Sequence, residues 1–117
     1  MKQIALDAAL EVRKESDLRV KVGACIIRGN RIIGLGANKS GGSDRHKYQW
    51  SRHAELRCML RAGDVGGGDI YVARVLGHSQ RYGMAKPCRR CETLLRDANI
   101  KTVYYTVQGG IESMRLN

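Results

Sequence analysis

The sequence predicts an α/β fold: a mixed central sheet of about five strands, with two helices side by side on one of its faces. Three observations carry this expectation. Apolar patterns change period along the chain in the order α-β-β-α-β-α-β-β. The first two strand patterns are joined by the turn signal Gly29-Asn30, which makes them a hairpin. The second and third helices each begin at a residue with a soft ligand atom, His53 and Cys88. Those two helix N-termini must converge if the residues are to share one task.

The elements follow in order. Ile4, Leu6, Ala8, Ala9, Leu10 and Val12 predict an opening helix, imperfectly amphipathic, ending near Ser16. Val20 to Ile27 and Arg31 to Leu35 are the hairpin strands. Lys39 to Arg52 is polar and glycine-containing, hence a loop, and it carries His46, Lys47, Tyr48 and Trp50. A helix runs from His53 through Ala54 to about Ala62, and Gly66-Gly67-Gly68 marks the break behind it. Asp69 to Val75 is a third strand, and Leu76 to Lys86 is a loop or a hairpin extension. Cys88 to Ala98 is the last helix, opened by Pro87, whose missing N–H suits a helix start. Lys101 to Val107 is a fourth strand, and Ile111 to Leu116 pairs back across the Gly109-Gly110 turn. No repeat or linker divides the chain, so residues 1–117 read as one domain with one modest core.

Composition bounds the function. Hydrophobic residues make up 43% of the chain, as in a globular fold. No apolar run approaches a membrane span, and Asp7 and Glu11 interrupt the N-terminal stretch, so no signal peptide is expected. Four cysteines, two of them in one Cys-x-x-Cys, do not make a secreted disulfide framework, so a reducing cytoplasm is the expected compartment. Lys and Arg number 21 against 11 Asp and Glu, a net charge of +10. That charge favours phosphate-bearing partners, on a nucleotide or a polymer, although basic surface is often only solvated. Phe is absent, and five Tyr and one Trp are few for a protein that stacks single-stranded bases.

The chemistry lies in His53-Ala54-Glu55 and Pro87-Cys88-Arg89-Arg90-Cys91. One imidazole and two thiolates suffice for an open zinc site, with the fourth position left for water. Cys88 and Cys91 are three apart, so one helical turn presents both to a single ion. The partial charge of a helix N-terminus favours thiolate there. Glu55 follows the imidazole closely enough to move protons without ligating. Two plainer readings stand beside this one: a redox Cys-x-x-Cys, or half of a structural zinc site. A structural site needs a fourth ligand from Cys25, Cys58, His46 or His78. Cys58 is turned away from His53 on the same helix, and Cys25 sits in an apolar run as a small core residue does.

With these motifs the chain resembles the cytidine deaminase superfamily from about Leu6 to Thr106. His-x-Glu followed by Pro-Cys-x-x-Cys is the mark of zinc-dependent nucleobase deaminases. Val22-Gly23-Ala24-Cys25-Ile26-Ile27 and Ile32-Ile33-Gly34-Leu35-Gly36-Ala37-Asn38 are similar to that family's first hairpin. Ile70 to Arg74, Ala85 to Cys88 and Val103 to Thr106 look most like small phage or prophage cytidine or deoxycytidylate deaminase-like proteins. A histidine as first ligand is similar to the deoxycytidylate, tRNA-adenosine and polynucleotide branches, and unlike free cytidine deaminases with three cysteines.

The resemblance implies a three-layer cytidine deaminase-like fold with both zinc-bearing helices on one sheet face. It implies a hydrolase acting on a cyclic amidine: cytosine, in a nucleoside or nucleotide, is converted to uracil and ammonia. His53, Cys88 and Cys91 would hold Zn2+, and Glu55 would carry protons to N3 and to the leaving ammonia. Asn38 would contact sugar or base, and Ala54 and Cys88 would offer backbone groups to the base. His46, Tyr48, Trp50 and Arg52 are loop candidates for stacking or phosphate contact, as are Arg89 and Arg90 for phosphate. Many family members continue with further helices, so the expected assembly is a homo-oligomer whose neighbouring subunit completes the pocket. Two other readings remain open: a deaminase of cytosine or adenine in single-stranded nucleic acid or RNA, and a non-catalytic binding module on the same fold. An intact Glu55 argues against the latter.

Overall fold

A computed structural model describes residues 2–39, 53–76 and 81–116. His46, Tyr48, Trp50, Arg52 and His78 lie outside the described residues. The elements are α1 (Gln3–Val12), β1 (Val22–Arg28), β2 (Arg31–Ala37), α2 (Ala54–Ala62), β3 (Asp69–Arg74), α3 (Arg89–Asp97), β4 (Thr102–Val107) and β5 (Gly110–Arg115). A short 3-10 turn, Arg13–Glu15, carries α1 on to Ser16.

The sheet is five-stranded and mixed, in the order β2-β1-β3-β4-β5. β1 is antiparallel to both neighbours, and β5 is antiparallel to β4. Only β3 and β4 are parallel, and a parallel pair needs a crossover. The segment containing α3 supplies it. β1 has both faces covered, which is why it reads as a continuous apolar run instead of an alternating one. Cys25 and Ile27 face α1 with Tyr71 and Ala73, against Ala5, Leu6 and Ala9. Ala24 and Ile26 face the other way with Ile70, Val72, Val103 and Tyr105, against Ala54, Cys58 and Leu95 of α2 and α3. The three layers are therefore α1, the sheet, and the α2–α3 pair, as the sequence predicts.

Close backbone approach sets where α2 lies. A Cβ on Gly36 would stand 2.5 Å from the Cys58 nitrogen, and one on Gly34 would stand 2.9 Å from the Cys58 carbonyl oxygen. Glycine at both positions lets α2 rest directly on β2. Cys58 is then wholly buried on the sheet side of the helix. Gly63, with φ of 81°, ends α2 as a C-cap.

Strand boundaries differ from the sequence expectation by one or two residues. The last helix, expected from Cys88, starts one residue later: Cys88 is the N-cap of α3, extended at φ −67° and ψ 166°, and Arg89 begins the helix. The reason is the cap itself, since the Cys91 N–H donates to Cys88 Sγ at 3.5 Å. The two thiols are thus an N-cap and a first-turn residue, not neighbours on a helical face. The stretch after β3 proves to be a hairpin extension in its described part, with Val75 bridged to Tyr82 and the Leu76 N–H donating to the Arg81 carbonyl.

Candidate active site

His53 is the N-cap of α2, as Cys88 is of α3, but its side chain does not cap the helix. The imidazole points to the neighbouring helix instead. His53 Nδ1 lies 3.1 Å from Cys91 Sγ and 3.6 Å from Cys88 Sγ. All three ligand atoms fall within 4.8 Å of one another. A tetrahedral zinc ion would hold nitrogen and sulfur ligands roughly 3.6 Å apart and two sulfurs about 3.8 Å apart. The donor set therefore fits one such ion. Cys25 and Cys58 are both buried in the core and supply no fourth ligand.

The electrostatics favour the same reading. Burial pushes the His53 imidazole below its ordinary pKa, and the charge of Arg90 adds to that. The neutral ring that results is the form that ligates a metal. Burial raises the Cys91 thiol, and the nearby Glu55 and Cys88 push it the same way. At Cys91 burial opposes the thiolate that the helix N-terminus favours. A divalent cation supplies what the helix end cannot.

Glu55, in the first turn of α2, is 5% exposed and stands outside the ligand trio. Burial pushes its carboxyl up to about 7, against an opposing hydrogen bond from its own backbone. A carboxyl placed there exchanges a proton readily near neutral pH.

A cavity of about 240 Å³ opens on this group. His53, Ala54, Glu55 and Cys88 form one side of it, and Arg74, Met84 and Lys86 contribute elsewhere. Ala54 is buried at the start of α2, where backbone N–H groups lack helical partners. Asn38 also lines the cavity, just beyond β2. Its carboxamide already serves the hairpin: Oδ1 accepts from the Val22 N–H at 2.9 Å, and Nδ2 donates to the Val20 carbonyl at 2.7 Å. One amide hydrogen and one lone pair are left for a ligand. Arg89 and Arg90 line a separate surface depression with Thr93 and Leu94.

Sequence reasoning missed Arg74 and Lys86. Arg74 ends β3 at the carboxyl edge of the parallel β3–β4 pair, which is where open α/β sheets bind ligands. That rule was the available signal. Lys86 signals itself only by preceding Pro87-Cys88.

A family model described as the cytidine and deoxycytidylate deaminase zinc-binding region matches residues 1–107. The chain belongs to this family. Over 116 residues it is 31% identical to the deoxycytidylate deaminase of Homo sapiens, with 84% of this chain and 59% of that one covered. The chain thus spans about three-fifths of the length of such relatives. Cytidine deaminase from Burkholderia pseudomallei has a similar fold, with a TM-score of 0.72 at 21% identity over 99% of this chain and 94% of that one. So does the dCMP deaminase of cyanophage S-TIM5, solved in complex with dCMP and dUMP, with a TM-score of 0.64 at 22% identity over 90% and 82%. The metal of this family is zinc, and His53, Cys88 and Cys91 are the residues arranged to take it. Among the described residues, no helix is long and apolar enough to cross a membrane.

Proposed function

We propose that this deaminase-family protein hydrolyses the amino group of cytosine in a pyrimidine nucleotide, releasing ammonia and leaving uracil. One observation carries the reading. The cavity lined by His53, Cys88 and Glu55 is also lined by two basic side chains, Arg74 and Lys86, with no ion-pair partner among the described residues. A nucleotide has the matching polarity, with a neutral base at one end and a phosphate at the other.

When bound, zinc would polarise a water molecule and lower its pKa toward neutrality. The chain's own residues do the rest. Glu55 takes a proton from the attacking water and passes it to N3 of the ring. The water oxygen bonds to C4, and the bond from C4 to the exocyclic nitrogen then breaks. Glu55 carries the second proton to that departing nitrogen, so that ammonia leaves and C4 keeps the oxygen as a carbonyl. Ala54 offers its helix-start N–H to the base. Asn38, held by the Val20 and Val22 backbone, turns its remaining amide hydrogen to the sugar or base. Arg74 and Lys86 bind the phosphate, the role assigned from sequence to Arg52, Arg89 and Arg90.

The test is a panel: dCMP, CMP, deoxycytidine, cytidine and a cytosine-containing oligonucleotide, each incubated with zinc-loaded protein and scored for ammonia and uracil. A mononucleotide should be turned over best. Activity confined to the oligonucleotide would replace this reading with that of a polymer deaminase.

A further inference from the structure

We infer that Thr106, with Gly83 beside it, is the positioning unit that aims Arg74, and thereby sets the preference for a nucleotide over a nucleoside. The inference rests on the proposed phosphate role of Arg74 and adds to it the residues that make the role possible.

Thr106 lies near the end of β4 and is 0% exposed. A buried strand position suits valine as well as threonine, so the hydroxyl there matters through its partners. One partner, Arg74, lines the cavity, and the other, Gly83, directly precedes the lining stretch Met84-Ala85-Lys86. Thr106 Oγ1 accepts from the Arg74 N–H at 3.0 Å and donates to the Gly83 carbonyl at 2.8 Å. The register of the parallel β3–β4 ladder ends at Val72 and Tyr105. Beyond that point one side-chain hydroxyl bridges the strands and draws in the returning segment. Gly83 closes the arrangement, because its N–H donates to the Arg74 carbonyl at 2.9 Å. Next to it, Ala85 donates its N–H to the Thr106 carbonyl at 2.9 Å, which ties down the stretch leading into Lys86.

Gly83 also contributes by its lack of a side chain. A Cβ there would stand 3.2 Å from Arg74 Nε and 3.3 Å from Arg74 Cδ. The Arg74 side chain therefore lies across the glycine, and any methyl group would press on it. Thr106 fixes the backbone of Arg74, and Gly83 leaves room for its guanidinium stem. Neither residue is among those lining the cavity with His53, Glu55 and Cys88, so their effect on substrate runs through the basic wall.

The experiment compares dCMP with deoxycytidine on zinc-loaded protein, reading kcat and KM for each. Arg74→Gln is the reference and should cut the preference for dCMP, as a ratio of kcat/KM values, on the order of tenfold. Thr106→Val, which keeps the shape and the backbone bond to Ala85, should cut it in the same direction through KM. Thr106→Ser, which keeps both hydroxyl bonds, should restore it. Gly83→Ala should lower it as well, and serves alone if Thr106→Val fails to fold. A folded Thr106→Val that harms both substrates equally, or neither, overturns the positioning role while Arg74→Gln still behaves as expected. An unchanged preference in Gly83→Ala overturns it equally. If Arg74→Gln itself leaves the preference unchanged, the phosphate reading fails and the inference falls with it.

Discussion

His53 Nδ1 stands 3.1 Å from Cys91 Sγ across 38 positions of sequence. The contact joins the N-cap of α2 to the first turn of α3, two helices that share a core on the same face of the sheet. It exists because glycines in β2 let α2 down onto the sheet and because the β3–β4 crossover places α3 beside it. Both helices then point their positive ends at one spot, which suits thiolates and a water-derived oxygen more than it suits a bare cation. Two thiolate ligands, from the exposed Cys88 and the buried Cys91, would restore the balance.

Metal content follows from that contact. Native protein should carry about one zinc per chain, by elemental analysis. Cys88→Ala should lose most of it, together with the stabilisation that a bound ion gives. At a hundredfold excess over Kd that is roughly 2.7 kcal/mol. A chelator should lower the melting temperature of the native protein and leave that of Cys88→Ala nearly unmoved. Equal stability of the two proteins with zinc present would count against the site.

Glu55→Gln keeps the size of the buried side chain and removes its capacity to carry a proton. Turnover should fall by at least about a hundredfold, the lower end of what general acid–base catalysis contributes. Zinc content and melting temperature should stay near native. Near-native turnover in this variant would mean that another group moves the protons.

Packing makes a separate prediction at Gly36, where a Cβ would come within 2.5 Å of the Cys58 nitrogen. Gly36→Ala has to lift α2 off β2, an overpacking cost of about 1–3 kcal/mol. Because α2 carries His53 and Glu55, zinc affinity and activity should drop with stability. Gly110→Ala is the control: nothing lies within 4 Å of the added carbon. Denaturant melts of the two variants should differ accordingly.

Cys25 predicts an alkaline limit. Burial pushes its thiol from 9.0 up to about 11. Between those values the unfolded chain has lost the proton and the native one keeps it, so the native state binds more protons and stability falls as pH rises. The contribution is complete below about pH 9 and gone above about 11. Cys25→Ala should be less stable throughout, from the lost packing, yet lose stability less steeply across that window. Parallel curves would assign the alkaline loss elsewhere.

What the sequence made legible was local. The turn at Gly29-Asn30, the two-faced apolar run of β1 and the ligand motifs at two helix starts each announce themselves within a few residues. The three-layer order came from the family resemblance that those motifs carry. The basic wall was not legible for the opposite reason. The end of a parallel strand marks Arg74 as near a ligand edge, but the bond from its N–H to Thr106, 32 positions later, is encoded by no spacing rule. Asn38 shows a third case. Its position was evident from the hairpin, but its carboxamide is largely engaged by Val20 and Val22, which only coordinates reveal.

Salt dependence separates a nucleotide from a polymer. The net charge of +10 attracts either. A mononucleotide brings one phosphate group to Arg74 and Lys86, so few counterions are displaced when it binds. A single strand held along a basic surface displaces one set per phosphate, with a slope of about −0.7 per contact in log affinity against log salt. With six contacts, raising salt from 50 to 200 mM would weaken binding by roughly three hundredfold on that slope. For dCMP on this protein, KM should rise only a few-fold over the same range, with kcat steady. Charge reversal at Lys86 should raise KM for dCMP further and flatten even that dependence, since the attraction being screened is gone. A steep slope for an oligonucleotide, with no measurable turnover of dCMP, would transfer the +10 charge from steering a small anion to holding a strand.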